Sequence, residues 1–353
     1  MDIIKLLPEH IANQIAAGEV IQRPSSAVKE MIENSIDAGA TQIELIIKDA
    51  GKTLIQVVDN GCGMSKTDAK ISFERHATSK IRKADDLFNI KSMGFRGEAM
   101  ASIAAISHVE LNTKTTNSEL GSKVIIEGSE IKSQESCVCP TGTSIKIKNL
   151  FYNVPARRNF LKSDKIENKH ITNEFTRISL ANPEILFILK IDNNIIYRLE
   201  PSNFRQRIVS ILGSKTNEKL VPVSEETNLV KISGFIGKPE FAKRTRGEQY
   251  FFVNGRYIKN YYLNHAINKA YAELISDNSH PSYFINLSIN PKQIDINIHP
   301  TKTEINFEDD KAIYAILISS VKRSLGKYNI APTLDFNTEP SFEIPINHNK
   351  IIK

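Results

Sequence analysis

Glu30 and Asn34 lie one helical turn apart in Pro24-Ser25-Ser26-Ala27-Val28-Lys29-Glu30-Met31-Ile32-Glu33-Asn34-Ser35-Ile36-Asp37-Ala38-Gly39. A carboxylate with an amide one turn later can hold a water and a hard metal ion together. That requires a helix, and the segment predicts one. Pro24 suits a first helical position and Gly39 a C-terminal cap. At about 100° per residue, Val28, Met31, Ile32, Ser35 and Ile36 share one side. Glu30, Asn34 and Asp37 fall within roughly 60° of each other on the opposite side. On this helix alone, a solvated polar face is the commoner reading.

Two further clusters follow. Asp59-Asn60-Gly61-Cys62-Gly63-Met64 comes after two strand-like runs, Ile43-Glu44-Leu45-Ile46-Ile47 and Leu54-Ile55-Gln56-Val57-Val58. An Asp at a strand end can accept a hydrogen bond from an amino group, and the glycines let backbone approach a flat ring. Taken alone this is an Asx-Gly turn. Gly94-Phe95-Arg96-Gly97-Glu98-Ala99 precedes a helical run, Ala99 to Ile106, whose first N–H groups could cradle phosphates; alone, it is equally a flexible loop. A conventional P-loop is excluded. Gly51-Lys52-Thr53 is the only Gly-Lys-Thr, and Ile46 stands where its first glycine belongs. A Rossmann fingerprint fails too, because no third glycine follows Gly61 and Gly63.

In this order, Glu30/Asn34, Asp59-x-Gly61-x-Gly63 and Gly94-Phe95-Arg96-Gly97 resemble the three nucleotide motifs of the GHKL ATPases. Four longer strings are similar to the MutL mismatch-repair family within that superfamily: Ala12 to Val20, Arg75-His76-Ala77-Thr78-Ser79-Lys80-Ile81, Leu150-Phe151-Tyr152-Asn153-Val154-Pro155-Ala156-Arg157-Arg158, and Asn297-Ile298-His299-Pro300-Thr301-Lys302. The resemblance runs from about Ile3 to about Phe307.

The resemblance implies ATP and Mg²⁺ as ligands. It gives Glu30 the role of general base and Asn34 an oxygen for Mg²⁺, and it places Asp59 on the adenine amino group, with Gly61 and Gly63 closing over the base. Asp37 could join the polar stripe or simply cap the turn. Thr143 matches a strand Thr beneath the adenine, though an ordinary strand Thr is as good a reading from the residues alone. Thr78, Ser79 and Lys80 would open a lid, and Gly94, Phe95, Arg96 and Gly97 would end it. Lys80 would neutralise phosphate charge, and N–H groups near Gly97 would bind phosphates. Lys302 would reach the γ-phosphate from a second domain. Arg157 and Arg158 belong to a diagnostic string without an assigned chemistry.

Composition sets broad limits. A chain of 353 residues suggests two domains, and 41% hydrophobic residues suffice for a core without any Trp. A net charge of +6 permits an anionic partner without proving one. Cys62, Cys137 and Cys139 form no disulfide framework, and Cys137-Val138-Cys139 is too tight for a usual zinc knuckle, so reduced thiols are expected. No signal peptide or apolar run of membrane length is present, so a cytoplasmic protein with no membrane contact is the default reading, and the resemblance implies that it is nucleoid-associated. From Lys238 to Lys259, basic residues including Lys243, Arg244, Arg246, Arg256 and Lys259 outnumber acidic ones, which suggests weak, sequence-independent DNA binding. The aromatic residues among them read as core.

The elements predict an α+β chain of two tandem α/β sandwich domains, over 1–203 and 204–328, with a linker over 329–353; the resemblance implies that the first is a GHKL (Bergerat-type) sandwich and the second a ribosomal-S5-like domain. Strands arriving partly as hairpins argue against a doubly wound parallel sheet. Residues 76 to 97 read as a mobile loop. The function that the resemblance implies is a mismatch-repair ATPase that hydrolyses Mg-ATP slowly and pairs two copies on binding it. It also implies as partners a MutS-type mismatch-recognition protein, DNA, and a downstream nuclease or helicase. The alternatives are a scaffold that binds ATP without hydrolysing it and a gyrase-type GHKL subunit.

Overall fold

The computed structural model describes residues 7–81, 83, 92–94, 96–295 and 305–330. Its first sheet has eight strands: β1 (Gln42–Lys48), β2 (Leu54–Asp59), β3 (His108–Lys114), β4 (Gly121–Glu127), β5 (Glu130–Cys137), β6 (Gly142–Lys148), β7 (Leu186–Ile191) and β8 (Asn194–Leu199). They run in the order β5-β4-β3-β6-β2-β1-β7-β8, and only β1 and β7 pair in parallel. The two-residue period explains how this sheet is covered. Ile43, Leu45, Ile55, Val57, Leu111 and Ile147 form one fully buried face. The other face carries ion pairs from Glu110 to Lys146 and Lys148 (both 2.9 Å) and from Glu44 to Lys190.

Helices layer on the apolar face. Among them are α1 (Glu9–Val20), α2 (Pro24–Asp37), α4 (Ala99–Ala105) and α6 (Asp164–Ala181), with α2 against α6 and α1 against α4. Pro24 takes the first turn of α2, and Val28, Met31 and Ile32 go into the core. The short α3 (Lys66–Ile71) begins where Ser65 Oγ accepts the Asp68 N–H. Arg157, on α5 (Pro155–Phe160), donates to the carbonyls of Gly18 (2.6 Å) and Ile21 (3.3 Å), fastening the end of α1.

The second sheet has five strands, β9 (Leu220–Glu226), β10 (Lys231–Gly237), β11 (Gln249–Val253), β12 (Arg256–Ile258) and β13 (Tyr283–Ser288), ordered β12-β11-β13-β10-β9. It packs with α8 (Tyr261–Tyr271) and α9 (Asp310–Ile330) around a separate core. β14 (Ile294–Asp295) and β15 (Asn306–Phe307) form a small pair. The α+β class, one-faced helical layering and absence of a doubly wound sheet agree with the sequence expectation.

The joint between the two sheets is α7 (Phe204–Leu212), capped by Asn203 in a reciprocal box with Gln206. Its Arg207 is fully buried and donates to the carbonyls of Ser179, Pro183, Ile185 and Glu200, at 2.7 to 3.1 Å. Burial pulls this guanidinium down to about 10. Leu180, Ile208, Phe252 and Phe284 make a small apolar cluster across the same joint. Among the described residues no helix is long and apolar enough to cross a membrane.

Candidate functional site

α2 carries Glu30, Asn34 and Asp37 as partly buried groups, with the core residues on its other side. Lys29 pairs with Glu33 at 3.4 Å and Glu30 at 3.6 Å. Burial works against the Lys29 charge, but the carboxylates of Glu33 and Glu30 outweigh it and hold the ammonium above its ordinary value. Asp37 does not cap the helix with its side chain. Its carboxylate accepts from the Met93 and Gly94 N–H groups, at 2.8 and 3.0 Å, and from the Lys80 ammonium. Lys80 Nζ also reaches Asn34 Oδ1 at 3.1 Å.

Asp59 ends β2 beside this helix. One oxygen accepts from Ser35 Oγ at 2.7 Å; the other accepts from Gly61 N (2.9 Å) and Thr143 N (3.3 Å). Burial raises the carboxyl above its ordinary value, against the opposing pull of those three donors. Thr143 is the β6 partner of Asp59, and its hydroxyl meets Thr113 Oγ1 at 3.0 Å. Thr113 also serves Met64 N and the Gly142 carbonyl.

Close backbone contacts explain the glycines. A Cβ on Gly61 would sit 2.9 Å from the Ala38 carbonyl, and one on Gly63 would sit 2.0 Å from the Lys114 carbonyl with φ at +66°. The loop is pinned to α2 by Cys62 N donating to Ala38 O, and to β1 by Asn60 receiving the Thr41 and Gln42 N–H groups. Gly97 abuts Ala77, and His76 N donates to Gly97 O at 3.1 Å. The segments expected to open and to end a lid therefore meet where His76 and Ala77 contact Gly97. Thr78 Oγ1 accepts the Lys80 N–H; Ser79 is exposed and Arg96 partly buried. Phe95, Asn297, His299 and Lys302 lie outside the described residues, as do residues 82 and 84–91 of the expected loop.

The basic stretch divides. Lys243, Arg244, Arg246 and Lys259 are exposed, with Lys243 paired to Glu248. Arg256 is a correction to the expected DNA surface. It is only 7% exposed and donates to the carbonyls of Ser92 (3.1 Å) and Met93 (2.9 Å), so it is not part of an exposed basic surface. These carbonyls belong to the same two peptide units whose N–H groups Asp37 binds, so Arg256 connects the second sheet to the end of α2.

The sequence reading missed Ser35, Thr113 and Arg256 as parts of this arrangement. Ser35 had a signal: it is a polar residue on the otherwise apolar side of α2. The other two depend on strand register and on a contact between distant segments.

Among the described residues no three His, Cys, Asp or Glu side chains converge on a metal position. An ion here would therefore take most of its ligands from water and phosphate, as Mg²⁺ does. Asn34 Oδ1 fits that role, since it already accepts from an ammonium group.

Residues 22–156 match the family model described as "Histidine kinase-, DNA gyrase B-, and HSP90-like ATPase", and residues 208–326 match "DNA mismatch repair protein, C-terminal domain". The chain is 63% identical over 347 residues to the DNA mismatch repair protein MutL of Christiangramia forsetii, covering 98% of this chain and 56% of that protein. It is 58% identical over 349 residues to the MutL of Flavobacterium johnsoniae, covering 99% and 54%. The chain thus spans about half the length of these curated relatives. The crystal structure of an N-terminal domain of a DNA repair protein superposes with a TM-score of 0.78 at 25% identity, covering 91% of this chain and 99% of that one. The Aquifex aeolicus MutL ATPase domain complexed with ADP superposes with a TM-score of 0.59 at 25% identity, covering 77% and 94%.

Proposed function

This chain belongs to the MutL family of DNA mismatch-repair proteins and has a GHKL-type ATPase fold, and from that premise we propose that it binds Mg-ATP between α2 and the Asp59 loop and hydrolyses it slowly. The observation that carries the reading is the Asp59 carboxylate. It is partly buried, held by Ser35, Gly61 and Thr143, and placed at a strand end where glycine backbone packs closely. A partly buried carboxylate so fixed suits the recognition of an amino group on a flat ring.

In this reading Asp59 accepts from the adenine amino group, while Gly61, Gly63 and Thr143 shape the floor. Glu30 orients a water and takes its proton as the water oxygen bonds to the γ-phosphorus and the bond to the β–γ bridging oxygen breaks, leaving ADP and phosphate. Asn34 would hold Mg²⁺, which would offset the charge of the phosphates. Lys80 and the backbone around Gly94, Arg96 and Gly97 neutralise and bind the phosphate chain. Phe95 is assigned to the same segment, and Lys302 to the γ-phosphate from the second domain, by resemblance alone. Division of the chain near residue 204 belongs to the same proposal, with residues 329–353 as the start of a linker.

The relatives' role in mismatch repair supports a cycle in which ATP pairs two copies and contact passes to a MutS-type protein and a nuclease or helicase. Leu7, Ile11 and Ile15 near α1 are 52%, 36% and 56% exposed, which supports that segment as part of the pairing surface. Lys243, Arg244, Arg246 and Lys259 remain as a weak DNA surface.

Equilibrium ATP binding with and without Mg²⁺, for the wild type and an Asp59→Ala variant, tests the assignment. Tight Mg-dependent binding that is lost in the variant supports it. Equal affinity in both proteins overturns the adenine role of Asp59.

A further inference from the structure

Cys137 and Cys139 take no part in the proposed nucleotide chemistry, yet their sulfurs stand 3.8 Å apart. Cys137 is the last residue of β5, and Val138 turns outward at 93% exposure. The two-residue period of extended backbone then returns Cys139 to the side of Cys137. Cys137 lies opposite Gly121 in the β4–β5 register. A Cβ on Gly121 would come within 2.3 Å of Cys139 Sγ, so glycine leaves the space in which that thiol rests. Both cysteines are free and partly exposed, open to an ion from solvent.

As thiols the two sulfurs stand at hydrogen-bond distance, and the same separation suits one kind of ion better than another. Two thiolates on one tetrahedral ion with bonds of about 2.3 Å stand roughly 3.8 Å apart, whereas a linear two-coordinate ion would need them roughly 4.6 Å apart. The first matches the distance in the fold. No third His, Cys, Asp or Glu joins the pair among the described residues, so the arrangement is an open chelate and not a closed structural knuckle.

We propose that Cys137 and Cys139 form a two-thiolate site for one tetrahedral, thiophilic divalent cation of the Zn²⁺ and Cd²⁺ class, with its other positions open to water or an outside ligand. Each thiol loses its proton as its sulfur–metal bond forms, so one divalent ion replaces two protons. The chelate ties the end of β5 to the turn that leads into Gly142 and Thr143, beside Asp59.

Cd²⁺ is the probe, because its thiolate bonds absorb in the ultraviolet. The fully reduced chain is titrated with Cd²⁺ beside Cys137→Ser, Cys139→Ser and Cys62→Ser variants, each checked for folding by circular dichroism. The expected result is one Cd²⁺ per chain, displaced by Zn²⁺, lost in the first two variants and kept in the third. Thiol alkylation mapped on peptides gives a second readout in the wild type: Cd²⁺ should protect Cys137 and Cys139 and leave Cys62 reactive. A charge-transfer band that survives either single change, protection that falls on Cys62, or a pair that closes to a disulfide under hydrogen peroxide while taking up no Cd²⁺ overturns the proposal.

Discussion

Lys80 rests its ammonium on Asn34 Oδ1, 3.1 Å away, and on the carboxylate of Asp37 one turn further along the same helix. The proposed function gives that amide oxygen to Mg²⁺. Two cations at contact distance from one oxygen repel each other, so binding of Mg-ATP must carry the Lys80 ammonium off Asn34 toward the phosphates.

Replacing Lys80 removes this charge and leaves the Asp37 carboxylate with its Met93 and Gly94 N–H donors. A charge-assisted hydrogen bond contributes about 1.5–3 kcal/mol, so Lys80→Met should weaken ATP binding by roughly 10- to 100-fold. Equilibrium binding with a fluorescent ATP analogue measures this. Undiminished affinity would remove Lys80 from the phosphate site.

Asp59 should trade stability for binding. A carboxyl raised above its ordinary value binds more protons folded than unfolded. Its contribution to stability therefore falls as pH rises from the unfolded value of 3.8 through the folded one, and is level above that. Asp59→Asn keeps acceptors for Gly61 and Thr143 and can donate to Ser35 Oγ. It should melt no lower than wild type at neutral pH, and the difference should shrink as pH falls toward 3.8. ATP binding should be lost, because the variant loses the carboxylate that faces the adenine amino group. Thermal unfolding at several pH values, with ATP binding alongside, checks both halves.

Gly63 and Gly142 should tolerate no side chain. Their Cβ positions would lie 2.0 Å from the Lys114 carbonyl and 2.1 Å from the Asp59 carbonyl, at φ of +66° and +115°. Gly63→Ala or Gly142→Ala should cost on the order of 1–3 kcal/mol or more in urea unfolding. Gly39 also has positive φ but nothing within 4 Å of its Cβ position, so Gly39→Ala should cost less.

The basic residues should separate by experiment as they do in space. Arg244→Glu with Arg246→Glu should weaken DNA binding and flatten its dependence on salt, because exposed charges release counterions. Arg256→Ala should leave that slope unchanged. It should instead reduce stability, since the Ser92 and Met93 carbonyls lose their donor. DNA titrations across a range of salt concentrations distinguish the two.

Much of this was legible in the chain. α2, β1, β2 and the Ser65 cap follow from periodicity and capping chemistry, and the strands His108–Lys114 and Gly142–Lys148 from alternation. β5 escaped notice because Glu130–Cys137 is a polar edge strand with almost no apolar face. β9 was missed because Pro222 interrupts its short apolar run. Within the proposed site, Glu30, Asn34 and Asp59 were singled out by the resemblance of three motifs taken in order, because local spacing alone reads as a solvated helix face and an Asx-Gly turn. The Ser35–Asp59 bond, the Thr113–Thr143 bridge and the Arg256 contact join residues 24 to 164 positions apart, where local pattern carries no information. Arg256 shows the difference most clearly: charge and neighbours suggested DNA, and burial assigns it to the protein's own backbone.

In the proposed reaction Glu30 activates water against bound ATP, and Mg²⁺-dependent hydrolysis by the wild type and a Glu30→Ala variant tests that role. Turnover should fall by roughly 100-fold or more in the variant while ATP binding is retained. Equal turnover in both proteins would contradict the account.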